Sequence, residues 1–73
     1  MDLLRFVDKD NGPYFIDGRA LFALCPDATQ QETKLVAFGQ FGVIASLDLS
    51  ADVEEVALMI ERAVPGARIH RID

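Results

Sequence analysis

Few side chains in this sequence can do chemistry, and their spacing decides whether they could do it together. Cys25 is the only thiol and His70 the only imidazole. A cysteine nucleophile needs its pKa lowered by an electropositive setting. No histidine stands near Cys25 in the sequence, and the apolar run around it predicts a buried structural thiol. A hydroxyl nucleophile would need Ser46 or Ser50, His70 and an aspartate to converge, and no spacing supports that arrangement. His70, with charged and apolar neighbours near the C-terminus, is predicted at the surface. Asp8, Asp10 and Gly12 begin like a calcium loop, but the glycine falls one position early and Arg19 stands where a bidentate glutamate is needed. They read as turn aspartates. Glu54, Glu55 and Glu61 read as the solvated face of a helix and not as a carboxylate cluster. We therefore expect a protein that is not an enzyme, with no catalytic residue, no cofactor and no metal.

The remaining candidates are contacts. On a helical wheel Leu58 falls among Glu54, Glu55, Glu61 and Arg62, and Met59 lies at the edge of that polar face. Apolar anchors inside a charged rim are the pattern of a partner contact. Leu35 and Ile44 form a second candidate contact, on a sheet face. Arg62, Arg68, His70 and Arg71 form a candidate basic patch, for an acidic partner or for RNA. The aromatic residues stand at core spacing on strands and not as a base-stacking platform.

Composition narrows the classes further. Seventy-three residues make one small domain spanning 1–73, near the lower size limit for a self-sufficient core. Hydrophobic residues make up 51% of the chain and charged residues 26%, which is too apolar for disorder. So small and apolar a chain has trouble hiding its apolar surface, which favours a homo-oligomer, most simply a dimer, or a stable protein partner. The net charge of −5 lacks the basic footprint of a free-standing nucleic-acid binder. A single cysteine fits a reducing compartment. No signal-peptide pattern and no membrane-length apolar run occur, so we expect a cytoplasmic protein with no membrane contact.

The elements that must carry these residues follow from pattern. Leu3 to Asp8 reads as a strand, with Leu4 and Phe6 on one face. Asn11-Gly12 is a hairpin-turn dipeptide and Tyr14 to Ile16 the returning strand. Arg19 to Cys25 is apolar on both faces and reads as a buried strand or a short helix, with its length favouring the strand. Pro26 ends it. Asp27 to Thr33 is a polar, flexible loop. Lys34 to Phe38 is a strand, and Gly39-Gln40 suits a two-residue turn into the strand Phe41 to Leu49. That register opposes Phe38 to Phe41, Val36 to Val43 and Lys34 to Ala45. It makes Val36, Phe38, Phe41, Val43, Ala45 and Leu47 the face that meets the helix. Leu35 then pairs with Ile44 on the reverse face, to be covered by the N-terminal strands or by another subunit. Ser50 to Val64 is an amphipathic helix with Ser50 or Asp52 as its cap, and Asp52-x-x-Glu55 has capping-box spacing. Pro65-Gly66 ends it. Ala67 to Asp73 could add a short strand or lie on the surface.

The order of pieces from Tyr14 to Ala63 resembles the small flagellar accessory proteins of the FlbD/SwrD type. The matching pieces are Tyr14-Phe15-Ile16-Asp17, Ala20 to Pro26, Lys34 to Leu47, and Glu54-Glu55-Val56. They cover about two-thirds of the chain. The Ala20–Leu24 run and the tail after Pro65 depart from that family. The resemblance implies a small non-enzymatic accessory or regulatory domain and carries over no functional residue.

The fold expected is α+β: a small antiparallel sheet of four to five strands in consecutive hairpins, with one amphipathic C-terminal helix on one face. The function expected is a self-associating protein-interaction or regulatory module. The alternative is a nucleic-acid-linked regulator that uses the C-terminal Arg/His cluster.

Overall fold

The computed structural model describes residues 2–72. In chain order the elements are β1 (Leu3–Asp8), β2 (Gly12–Asp17), β3 (Leu21–Pro26), β4 (Thr33–Gly39), β5 (Gly42–Leu49), α1 (Val53–Ala63) and β6 (Arg68–Arg71). The architecture is α+β, with the strands in two sheets. β1 and β2 form an antiparallel pair, and the other four are ordered β5-β4-β3-β6. The apolar run expected over Arg19 to Cys25 is a strand from Leu21 onward, not a short helix, and Arg19 and Ala20 belong to the turn before it.

The four-stranded sheet is mixed, because β6 runs parallel to β3. The helix is the reason. β3, β4 and β5 alternate in direction, α1 carries the chain back, and β6 therefore starts from the same end as β3. Parallel neighbours need such a crossover, whereas hairpins always reverse direction. The tail is thus an ordered edge strand, and the expectation of hairpins alone ends at β5.

The larger departure lies in β4 and β5. The turn is Gln40-Phe41, closed by Gly39 opposite Gly42, one residue later than the sequence suggests. Phe38 pairs with Val43, and Ala37 pairs with Ala45, so Ile44 is an extra residue. One bulged residue exchanges the faces of everything beyond it. Leu35 therefore opposes Leu47, not Ile44. Leu35, Ala37, Leu47 and Leu49 are buried, while Phe41 is 97% and Val43 60% exposed. The expected inner face of β4 is the outer one, and Leu35 is no contact residue.

The core gathers on one side of the four-stranded sheet. Phe22, Leu24, Leu35, Ala37, Leu47 and Leu49 meet Val56, Ala57 and Ile60 of the helix there. Leu4, Phe6 and Ile16 of the β1–β2 hairpin join the same cluster. The rings of Phe6 and Phe22 lie 5.9 Å apart, tilted by 53°, a favourable aromatic geometry. The N-terminal strands thus share the helix's side of the sheet and do not cover its reverse face. By alternation that reverse face carries Leu21, Ala23, Cys25, Lys34, Val36, Phe38, Ser46 and Asp48.

The helix begins where the sequence lets it. Asp52 is the N-cap, and the Glu55 amide donates to its side chain at 2.9 Å. Glu54 and Glu55 lie in the first turn and Arg62 in the last, each favoured by the helix dipole. At the far end the Val64 amide donates to the Ile60 carbonyl at 2.8 Å. Ser50 lies before the helix and does not cap it.

Candidate interaction surface

The helix sets one apolar stripe into the core and turns another outward. Val56, Ala57 and Ile60 are buried. Leu58, nearly opposite that stripe on the wheel, and Met59, at the edge of the outer face, remain 49% and 38% exposed. Glu55, Leu58, Met59, Arg62 and Ala63 line a shallow groove of about 540 Å³ along the outer side of α1. The spacing of the first four is i, i+3, i+4, i+7, one continuous helical face. Glu55 and Met59 also line a second groove, of about 330 Å³, between α1 and β1, with Val7, Val56 and Leu49 among its walls. The two grooves therefore share Glu55 and Met59 as a common wall. Among the described residues, neither Glu55 nor Arg62 has an ion-pair partner.

Ile44 is exposed at the bulge, as expected of a contact residue, but its companions are Phe41 and Val43 and not Leu35. Its side chain lies over Gly39. It lines a cleft of about 600 Å³ between the β4–β5 turn and the β2–β3 turn, with Phe38, Ala20, Arg19 and Arg68. Asp17 also lines this cleft. The Arg19 guanidinium, 2.8 Å away, holds its carboxyl at about 2.

The four basic side chains do not form one patch. Arg71 is drawn to the helix and pairs with Glu54 at 2.7 Å. Arg68 donates to the Arg19 carbonyl at 2.8 Å. His70 is exposed on β6. Arg62 belongs to the helix groove. An exposed pair such as Arg71–Glu54 contributes about 0–1 kcal/mol.

The candidate nucleophiles are also apart. Ser46, Val36, Ala23 and His70 stand in one row across β5, β4, β3 and β6. Three strand spacings, about 14 Å, therefore separate the Ser46 and His70 backbones. Cys25 is half-buried on the reverse face, not in the core, beside Lys34 in register. Its thiol lies 3.6 Å from the Pro26 carbonyl. No group of three or more His, Cys, Asp or Glu side chains that could hold a metal occurs among the described residues.

Asp8 has a use the sequence hides. It is buried, and one carboxylate oxygen accepts from the amides of Asp10 and Asn11 and from Asn11 Nδ2, at 2.9–3.1 Å. The other oxygen accepts from the Asp48 amide of β5 at 2.7 Å. The Lys9 amide returns a bond to the Asp48 carbonyl at 2.9 Å. The bond from Asp48, assisted by those in the turn, outweighs the burial and holds the Asp8 carboxyl below its ordinary value of 3.8. This aspartate closes its own turn and fastens the small sheet to the large one. The sequence marks it only as a turn residue, because its distant partner is a backbone amide.

Asp27 does similar local work in the loop before β4. Burial pushes its carboxyl up, but bonds from Glu32, Thr29, Gln31 and Gln30 outweigh that and lower it. The polar loop expected to be flexible is thereby organised around one side chain.

No protein-family model, no curated protein and no solved structure matches this chain. No helix among the described residues is long and apolar enough to cross a membrane.

Proposed function

We propose that this protein is a non-enzymatic interaction module that associates with itself and presents its surface to a protein partner. One observation carries the reading. Leu58 is exposed in the middle of the charged side of α1 with Met59 at its edge, and their groove shares Glu55 and Met59 with the largely apolar cleft against β1. An apolar pair set among charges on the outer side of a helix suits a protein contact. The similarity in element order to FlbD/SwrD-type accessory proteins supports a non-catalytic role. The dispersal of Arg62, Arg68, His70 and Arg71 favours this reading over nucleic-acid binding, which needs several cations acting on one backbone.

Light scattering behind a sizing column, from low micromolar to millimolar chain, tests the proposal. The expected result is a mass that rises from monomer to dimer with concentration in the wild type and stays monomeric in Leu58→Glu. Leu58 is half exposed and outside the core, so that variant keeps its fold. A monomer at every wild-type concentration contradicts the proposal.

A further inference from the structure

The charges beside Leu58 and Met59 specify how two copies would meet. Resting on the self-association just proposed, we infer that α1 packs against α1 of a second copy in antiparallel fashion, about a two-fold axis between Leu58 and Met59. Glu55 and Arg62 lie three residues to either side of this central pair. An antiparallel partner then places its Arg62 opposite Glu55 and its Glu55 opposite Arg62, and brings the two Leu58 side chains together on one flank and the two Met59 side chains together on the other. An isologous contact always repeats each pair in this way. A parallel pairing would oppose Glu55 to Glu55 and Arg62 to Arg62, which like-charge repulsion disfavours. The chain's net charge of −5 also opposes dimerisation in general, so a contact with internally balanced charge is the one two copies can form.

The surroundings fit this arrangement. Glu55 and Arg62 have no ion-pair partner among the described residues, so both are available across the axis. Glu54, on the flank that would approach Glu61 of the second copy, is already paired with Arg71 at 2.7 Å. The outer groove of α1 holds Glu55, Leu58, Met59, Arg62 and Ala63 and no other residue. Ala63 is small enough to let a neighbouring helix approach. The helix spans about 16 Å at 1.5 Å per residue, so the seam is short and the interface small. Interfaces of that size are weak, with dissociation constants on the order of micromolar or above.

Charge exchange tests the geometry. The samples are the wild type, Glu55→Arg, Arg62→Glu, the double variant carrying both changes, and an equimolar mixture of the two single variants. Their masses are compared by sedimentation velocity at low ionic strength, with far-UV circular dichroism confirming the fold of each. Each single variant opposes like charges at both ends, and we expect its dissociation constant to rise about tenfold or more. The double variant restores both opposite pairs and should dimerise again. The mixture should form heterodimers, since one variant then presents only cations and the other only anions. Glu55→Gln replaces Glu55→Arg should the added cation in the first turn unfold the helix, and it should weaken the dimer less. A wild-type dimer indifferent to all of these changes overturns the helix pairing and leaves self-association standing. Weakened single variants that neither the double variant nor the mixture rescues overturn the antiparallel arrangement. A wild type that is monomeric throughout overturns both.

Discussion

The β1–β2 hairpin turns between Asp8 and Gly12, the β4–β5 hairpin between Gly39 and Gly42, and the two turns are held by different means. At the first, one buried carboxylate collects the free donors of the turn and reaches across to the Asp48 amide of β5. At the second, no side-chain hydrogen bond forms among the described residues, and Phe41, Val43 and Ile44 stand in solvent. Yet both turns close on a glycine of positive φ, Gly12 at +89° and Gly42 at +120°. A polar side chain aimed at backbone donors fixes one register. Apolar alternation leaves the register open until the core chooses, and here the core chose with a bulge at Ile44.

The sharpest way to break this comparison is to shorten one apolar side chain at each end of the second hairpin. Leu35→Ala empties a fully buried site and should cost about 2–5 kcal/mol in urea unfolding. Phe41→Ala, which simple alternation places in the core, should stay within about 0.5 kcal/mol of the wild type. Comparable losses at the two positions would restore the unbulged register.

Thr33→Val removes the buried hydroxyl that donates to the Ala51 carbonyl at 2.7 Å, at the end of β4 near the Asp8 fastening. Leaving that carbonyl without its donor should cost about 1–3 kcal/mol. Gly12→Ala and Gly42→Ala should each cost about 1–2 kcal/mol, because both hold positive φ with open space around the added methyl. Equal costs at the two turns would locate the difference between the hairpins in their side chains and not in their backbones.

Asp8→Asn tests the fastening through pH. The folded Asp8 carboxyl is held below 3.8. Its contribution is therefore complete above the unfolded value near 3.8 and is lost as pH falls through the lower folded value. Asp17 and Asp27, also lowered, act in the same direction and window. The wild type should lose stability progressively below about pH 4. Asp8→Asn should be less stable at neutral pH and have a shallower acid limb, followed by thermal unfolding from pH 2 to 7. An acid limb identical to the wild type's would show that Asp8 is not the fastening.

Much of the fold was legible because local signals agreed with the core. β1 alternates cleanly, Gly12 closes the first hairpin opposite Asp8, and Asp52 caps a helix whose inner stripe is Val56, Ala57 and Ile60. The outward position of Leu58 and Met59 followed from the same wheel. Three features were not legible, each for its own reason. Gly39-Gln40-Phe41-Gly42 offers two turn positions, and nothing polar nearby selects one. The Arg68–Arg71 strand is specified by its parallel pairing with β3, a contact between residues far apart in sequence. Asp8 binds a backbone amide forty residues away, and any residue type there could supply that amide. The placement of the contact candidates divided along the same line: the helical wheel put Leu58 and Met59 at the surface, where they lie, whereas the sheet register put Leu35 on an outer face and it is buried.

The tip of the second hairpin and the outer face of α1 are both exposed and apolar, but only the helix carries charges that complement themselves. Backbone amide NMR of the wild type over a dilution series separates them most directly. The account predicts concentration-dependent shifts at Glu55, Leu58, Met59 and Arg62, with Phe41, Val43 and Ile44 unmoved. Shifts confined to Phe41–Ile44, with the helix silent, would contradict it.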